Sequence, residues 1–168
     1  MQQHGGMEIE RKFLVNGDGS YKALATKHYH IRQGYLAVKG ATVRIRQRDD
    51  EAFLTIKSPP RSTDQLARYE YEVPLAPADA AELFRLCVPP LIEKTRYLVP
   101  VGDHVFEVDE FHGDNDGLVI AEVELRSQDD TFRRPPFLGR EVTGQRQYYN
   151  ASLRRYPFKD WPTTPQQT

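Results

Sequence analysis

Glu8-Ile9-Glu10-Arg11-Lys12 runs directly into Phe13, Leu14 and Val15. The apolar end reads as a strand, in which alternate residues share a face, so Glu8, Glu10 and Lys12 point the same way. A single strand of this kind is ordinarily a solvated face. The habit recurs, however. Arg44 alternates with Arg46, Thr55 with Lys57, Glu70 with Glu72, Lys94 with Arg96, Glu107 with Asp109, and Glu122 with Glu124, with Val43, Ile45, Ile56, Tyr71, Val73, Val108 and Val123 among the residues of the opposite faces. Carboxylates brought together raise one another's pKa unless a cation lies among them, and a hard divalent ion such as Mg²⁺ or Mn²⁺ suits their oxygens. Many Arg and Lys groups on one surface need a multivalent anion, and the planar guanidinium fork suits phosphate. Carboxylates, a divalent metal and a cationic cradle together describe a site for a polyphosphate. Cross-strand salt bridging on a wet sheet face explains any one pair, but explains the whole series less well.

The elements that must carry these residues are mainly strands. The alternation and the turn signals between runs predict strands near 7–15, 29–37, 41–49, 51–58, 66–75, 91–100, 103–111 and 117–126. Pro77 to Cys87 and Gln145 to Arg155 read as helices, with weaker helical patterns around 20–28 and 128–133. Residues 7–155 are expected to form one domain, with 1–6 and 160–168 as flexible ends. The chain has 168 residues, 39% apolar and 28% charged, with a net charge of -1. That balance argues against nucleic acid or membrane surfaces as partners. Cys87 is the one cysteine, which excludes an intrachain disulfide and suits a reducing compartment. The five His show no zinc spacing, and no apolar run is long enough to span a bilayer, so a cytoplasmic address is expected.

Eight short strands at near-even spacing suit a barrel or a sandwich. A sandwich with its charges outside is the plainer choice. A barrel with a charged interior requires that interior to be wet or to hold a charged ligand. It would also turn apolar residues outward, where helices could cover them. Periodicity does not separate the two.

Beyond these patterns, the chain resembles the CYTH superfamily, the triphosphate tunnel metalloenzymes. The ExExK signature stands at Glu8-Ile9-Glu10-Arg11-Lys12. The likeness continues in order through Ile31 to Leu36, Val43 to Arg46, Leu54 to Lys57, Glu70 to Glu72, Glu93 to Tyr97, Phe106 to Asp109, Glu122 to Glu124 and Glu141 to Thr143. It closes with Tyr149, Asn150 and Leu153, and so spans about residues 7–155. The resemblance implies a mainly β fold, an eight-stranded antiparallel barrel forming a charged tunnel with a few covering helices and a C-terminal helix. It further implies metal carboxylates at Glu8, Glu10, Glu122 and Glu124, with Asp109 a further candidate. Phosphate-binding cations fall on Lys12, Arg44, Arg46, Lys57, Lys94 and Arg96. Glu70, Glu72 and Glu107 would support those cations or a second metal. Tyr35 and Lys57 match a Lys–Tyr pair proposed to activate water in related phosphatases. Crowding by Arg44 and Arg46 is expected to lower the pKa of Lys57 and favour that role. Tyr35 as a packing aromatic, and water activated without a side-chain base, stand as equal alternatives.

Short bacterial members of this superfamily that open EIERKFLV resemble inorganic triphosphatases. The expected activity is therefore Mg²⁺- or Mn²⁺-dependent hydrolysis of tripolyphosphate to pyrophosphate and phosphate, with nucleoside triphosphates as weaker substrates. A class IV-type adenylyl cyclase and a non-catalytic polyphosphate or nucleotide binder are the alternatives. The first needs an adenine pocket that no residues here identify; the second would not need so many metal ligands. The expected partner is a small-molecule triphosphate, and a homodimer is left possible. Cys87 reads as a buried helix residue, and Arg133-Arg134-Pro135-Pro136 as a solvated turn. The sequence assigns no role to Trp161 or Arg140.

Overall fold

The computed structural model describes residues 4–61 and 67–162. Nine strands run in chain order: β1 (Gly5–Val15), β2 (Lys27–Tyr35), β3 (Thr42–Arg48), β4 (Glu51–Lys57), β5 (Ala67–Leu75), β6 (Ile92–Val101), β7 (His104–Phe111), β8 (Val119–Leu125) and β9 (Leu138–Glu141). The helices are α1 (Tyr21–Leu24), α2 (Pro77–Leu86) and α3 (Asn150–Arg155). All strand pairings are antiparallel, in the order β5-β4-β3-β2-β6-β7-β8-β1. A pairing between β1 and β5, with Glu8 opposite Arg68 and Gly6 opposite Glu70, closes the ring. The result is an eight-stranded antiparallel barrel, not a sandwich, and closure leaves no free edge on these eight strands.

β9, which the sequence pattern did not predict, runs beside the end of β1 opposite Phe13 and Val15. It takes over the edge of β1 beyond the point where β5 leaves off. Gly5 and Gly6, expected in a flexible leader, are the first residues of β1. Residues 1–3 and 163–168 of the two expected flexible ends lie outside the described residues. The weak helical pattern at 128–133 is not a helix; a turn closed by Asp130 N donating to Ser127 O (3.2 Å) stands there instead. The pattern expected as one helix over 145–155 is divided into a 3₁₀ turn at Arg146–Tyr148 and α3.

The apolar residues that alternate with the charges face outward, and those of β7 and β8 are covered, whereas Ile56 on β4 stays 37% exposed. Phe13, Phe106, Val108, Ala121 and Val123 are fully buried against Phe137 and Tyr21. Around the closed end of the barrel, Leu14, Tyr35, Ile92, Ile120 and Val142 pack with Tyr148 and Leu153. Trp161 packs edge-on against Tyr148 and Phe158, 5.2 Å between centroids in each case. α2 begins with Pro77, carries Asp79 in its first turn, and lays Ala80, Leu83 and Phe84 over Ile45 and Ala52. Cys87 ends this helix, buried as expected, its thiol donating to Leu83 O at 3.5 Å. Beneath that corner a Cβ on Gly34 would stand 2.6 Å from Leu91 Cδ2 and 2.8 Å from Cys87 Sγ. The Gly34→Ala variant is therefore expected to lose about 1–3 kcal/mol of stability by overpacking, read as a lower denaturation midpoint. A midpoint equal to that of the parent would show that the corner yields at no cost.

A charged tunnel as the candidate active site

Every strand of the ring contributes its inward-facing residues to one interior. The wider part is a cavity of about 790 Å³ lined by Glu8, Glu10, Arg44, Arg46, Lys57 and Glu124, among others. It narrows to a chamber of about 70 Å³ at the end capped by Tyr149, Asn150 and Ala151. An eight-stranded barrel is just wide enough inside to be filled by side chains. Here those side chains are ionic, so they must satisfy one another or a ligand.

Two cations are locked in place. Lys94, 1% exposed, donates to Asp109 Oδ2 at 2.7 Å and to Asn150 Oδ1 at 2.8 Å. Arg96 donates from Nε and Nη2 to the two oxygens of Asp109, at 2.7 and 2.9 Å, and from Nη1 to Glu107. Both oxygens of Asp109 are thus engaged, and it stands as the partner of these cations. The sequence pattern marked Asn150 without giving it a role. It also accepts from Gln33 Nε2 at 3.1 Å, and so ties α3 to the tunnel wall.

The cations of β3 are less well matched. Arg44 and Arg46 share one carboxylate, Glu72, at 3.5 and 3.3 Å. Thr55 joins the set, accepting from Arg44 at 3.1 Å and donating to Glu72 at 2.7 Å. The Nε groups of Arg44 and Arg46 are buried with no hydrogen-bond partner among the described residues. Burial, and then the charges of Arg44 and Arg96, push the Arg46 guanidinium down to about 9. An anion entering here would meet unspent donors.

Lys12 lies 3.2 Å from Glu122, and Lys57 lies 2.8 Å from Glu8 and 3.5 Å from Glu70. The expected depression of Lys57 is reversed. Burial and Arg44 lower its pKa, but the charges of Glu10, Glu8 and Glu70 outweigh them and hold it above the ordinary lysine value. Tyr35 is raised as well, chiefly by burial, while its hydroxyl accepts from Gln33 Nε2 at 2.8 Å. Both groups therefore keep their protons at neutral pH. As the side chains stand, each is a donor rather than a base.

The acids of β1 and β8 face each other in register, Glu10 opposite Glu124 and Lys12 opposite Glu122. Like charges directly opposite are destabilising unless something compensates. Burial, then the charge of Glu122, raises Glu10 to about 7. Glu8 and Glu124 are raised too, first by burial. Among the described residues no three carboxylate, His or Cys side chains stand close enough to hold a metal ion as they lie, since Glu8 and Glu122 turn to lysines. The donor chemistry nevertheless fits a divalent cation. Glu8, Glu10, Glu122 and Glu124 are oxygen donors from two neighbouring strands, and Glu8, Glu10 and Glu124 resist ionisation, first through burial and then through neighbouring acids.

Arg140 takes no part in the cavity; its Nη2 donates to Tyr148 Oη at 3.3 Å outside the barrel. Arg48 and Arg68, which the sequence pattern did not single out, do line it. Both extend the alternation by one step, Arg48 after Arg44 and Arg46, and Arg68 before Glu70 and Glu72. No helix among the described residues is long and apolar enough to cross a membrane.

Comparison with known proteins agrees with this geometry. The CYTH domain model matches residues 6–156. A protein of Acetivibrio thermocellus named inorganic triphosphatase is 45% identical over 157 residues, which is 93% of this chain and 98% of that protein. One of Nitrosomonas europaea, of the same name, is 37% identical over 153 residues, covering 87% of this chain and 95% of the other. A crystal structure of an inorganic triphosphatase superposes with a TM-score of 0.60 at 35% identity, covering 92% of this chain and 95% of that one.

Proposed function

Because the chain belongs to the CYTH domain family, we propose that its tunnel is the active site of an inorganic triphosphatase, a divalent-metal-dependent hydrolase of tripolyphosphate. The observation that carries this reading is the pairing of two unbalanced sets in one cavity. The β3 arginines present buried N–H groups without partners among the described residues, and Glu8, Glu10 and Glu124 resist ionisation. A polyphosphate with its cation supplies the missing charge to both.

In this reading Lys12, Arg44, Arg46 and Lys57 bind phosphoryl oxygens, the arginines through their forks and the lysines as point charges. Lys94 and Arg96, fixed by Asp109, Asn150 and Glu107, add positive charge that needs no rearrangement during reaction, the condition under which electrostatic stabilisation is strongest. Glu8, Glu10, Glu122 and Glu124 hold Mg²⁺ or Mn²⁺. When bound, that ion would neutralise negative charge in the tunnel. Asp109, Glu107, Glu70 and Glu72 orient cations. Glu8 now serves Lys57; were Glu8 to hold a metal ion instead, the Lys57 ammonium would be left to the substrate. Tyr35, whose hydroxyl accepts from Gln33, keeps its own proton for a partner in the chamber. In this reading Lys57 and Tyr35 steady charge on the phosphoryl group as donors.

The test is phosphate release from tripolyphosphate, ATP and pyrophosphate, each with Mg²⁺, with Mn²⁺ and with chelator. Metal-dependent hydrolysis of tripolyphosphate, faster than of ATP and abolished by chelator, is the expected result. Cyclic AMP formed from ATP without tripolyphosphate hydrolysis would move the chain to the cyclase reading. Tight binding without turnover of any of the three would leave only a binder.

A further inference from the structure

Five cations of the narrow chamber have carboxylate partners. Lys12 has Glu122 at 3.2 Å, Lys57 has Glu8 at 2.8 Å, Arg44 has Glu72 at 3.5 Å, and Lys94 and Arg96 share Asp109, each at 2.7 Å. The sixth is Arg68. It lines the same chamber from β5 and stands opposite Glu8 in register, yet forms no ion pair with any described residue. Its guanidinium carbon lies 5.2 Å from the centroid of the Tyr149 ring, and Lys12 Nζ lies 5.3 Å from that centroid. Tyr149 is held at the start of α3, its N–H donating to Arg146 O at 3.0 Å and its carbonyl accepting from Ser152 and Leu153. A guanidinium on an aromatic ring is gripped through its flat face, and the N–H groups around its edge stay available. Arg68 is thus half-buried, set over a ring with no carboxylate partner among the described residues, and placed where the tunnel ends.

We infer that Arg68 is a substrate-binding residue of the chamber, its N–H edge taking oxygens of the innermost phosphoryl group, with Tyr149 as the platform that positions it. The inference rests on the triphosphatase reading, which assigns phosphate to Lys12, Arg44, Arg46, Lys57, Lys94 and Arg96 but not to Arg68. The chemistry is that of a charge-assisted hydrogen bond to phosphate, strengthened because no carboxylate among the described residues pairs with the donor.

The experiment has two readouts on the full chain: steady-state hydrolysis of tripolyphosphate with Mg²⁺, and calorimetric binding of tripolyphosphate in EDTA. Arg68→Ala is expected to raise KM by at least about tenfold and to weaken binding in EDTA by a similar factor, the loss of one charged hydrogen bond. Its kcat should fall far less, and its melting temperature should stay close to that of the parent, since no ion pair among the described residues is lost. Arg68→Lys, which keeps the charge without the fork, should recover part of both losses. Tyr149→Leu should shift KM in the same direction through loss of the platform. Wild-type hydrolysis with KM and EDTA binding unchanged in Arg68→Ala would overturn the inference while leaving the function intact. Loss of affinity in Arg68→Ala without hydrolysis by the wild type would support the anion site and overturn the triphosphatase reading. If neither hydrolysis nor Arg68-dependent binding is seen, both fall.

Discussion

Replacing Arg46 with Met should give a protein that is more stable and close to inactive. The activity loss follows from position. Arg46 lies in the middle of the β3 row, with its Nε buried and unpartnered and only a shared hold on Glu72 at 3.3 Å. Removing one such preorganised donor from a site of developing negative charge typically lowers turnover by about a hundredfold or more. The stability gain follows from the same facts. Burial, then Arg44 and Arg96, depress the Arg46 guanidinium to about 9, so the folded state resists its charged form. That resistance is a cost of folding at every pH where the unfolded chain would be protonated. Met fills similar volume, carries no charge and can lie against Phe53, over whose ring Arg46 now sits. Glu72 keeps Thr55 at 2.7 Å and Arg44 at 3.5 Å, so no carboxylate is stranded. Replacing a whole buried ion pair by apolar residues is often neutral or stabilising by about 1–4 kcal/mol. With Glu72 still held by Arg44 and Thr55, the expected gain lies in the lower half of that range, a rise of a few degrees in melting temperature. Calorimetric melting and phosphate release on one preparation decide the matter. A lower melting temperature, or kcat/KM within tenfold of the parent, would show that Arg46 is a structural ion-pair residue.

That opposition between stability and function also explains which parts were legible from the residues alone. Strand period is a local property, so β1 to β8 could be placed within about two residues. Their inner faces could be assembled because each carries charge at alternate positions. Closure was not legible in this way. Whether Glu8 meets Arg68 across β1 and β5 depends on twist and shear accumulated over eight strands, and the same alternation serves a sandwich. The ordered resemblance decided for the barrel, and the ring of pairings bears it out. β9 was missed because Leu138 to Glu141 is four residues with no full period to read, and it exists only because β1 offers an edge there. The pKa of Lys57 was misjudged for a related reason. Arg44 and Arg46 are its neighbours in the sequence pattern, but Glu70 faces it across the β4–β5 pair and Glu8 and Glu10 reach it through closure of the ring, and together they outweigh the arginines. Asn150 and Arg68 gained their meaning only when α3 and β5 were brought to the same chamber. Helix 128–133 failed because Asp130 spends its carboxylate on the Arg126 N–H and on His104, which holds a turn there, while Phe132 packs on Phe13 and Phe106 from irregular chain.

The metal-stripped protein should melt at a higher temperature near pH 5.5 than near pH 7.5, the reverse of what an ordinary salt-bridged protein does over that range. Glu10 carries the effect. Its pKa is raised from 4.5 to about 7, first by burial and then by Glu122. Below the unfolded value both states are protonated. Between that value and about 7 the unfolded chain gives up a proton that the folded chain keeps. Stability therefore falls as pH rises through this window, and the penalty is complete above it. The shift sets a ceiling of about 3 kcal/mol, reduced in practice because Glu10 titrates together with its neighbours. Glu8 and Glu124 are shifted in the same direction. Glu122, Asp109 and Glu72 are held below the carboxylate range and titrate beneath the window, while Lys94, lowered to about 8, titrates above it. Adding Mg²⁺ should raise the melting temperature more at pH 7.5 than at pH 5.5, because metal and proton compete for the same oxygens. Glu10→Gln should flatten the pH profile in EDTA and remove most of the Mg²⁺ response. The decisive comparison is the slope in EDTA. If the acids of β1 and β8 were satisfied by Lys12 and Lys57 alone, stability would be level or rising from pH 5.5 to 7.5, and the tunnel would be a salt-bridged interior with no need of a cation. A falling slope cancelled by Mg²⁺ means that these carboxylates are folded against their own repulsion and are waiting for a metal.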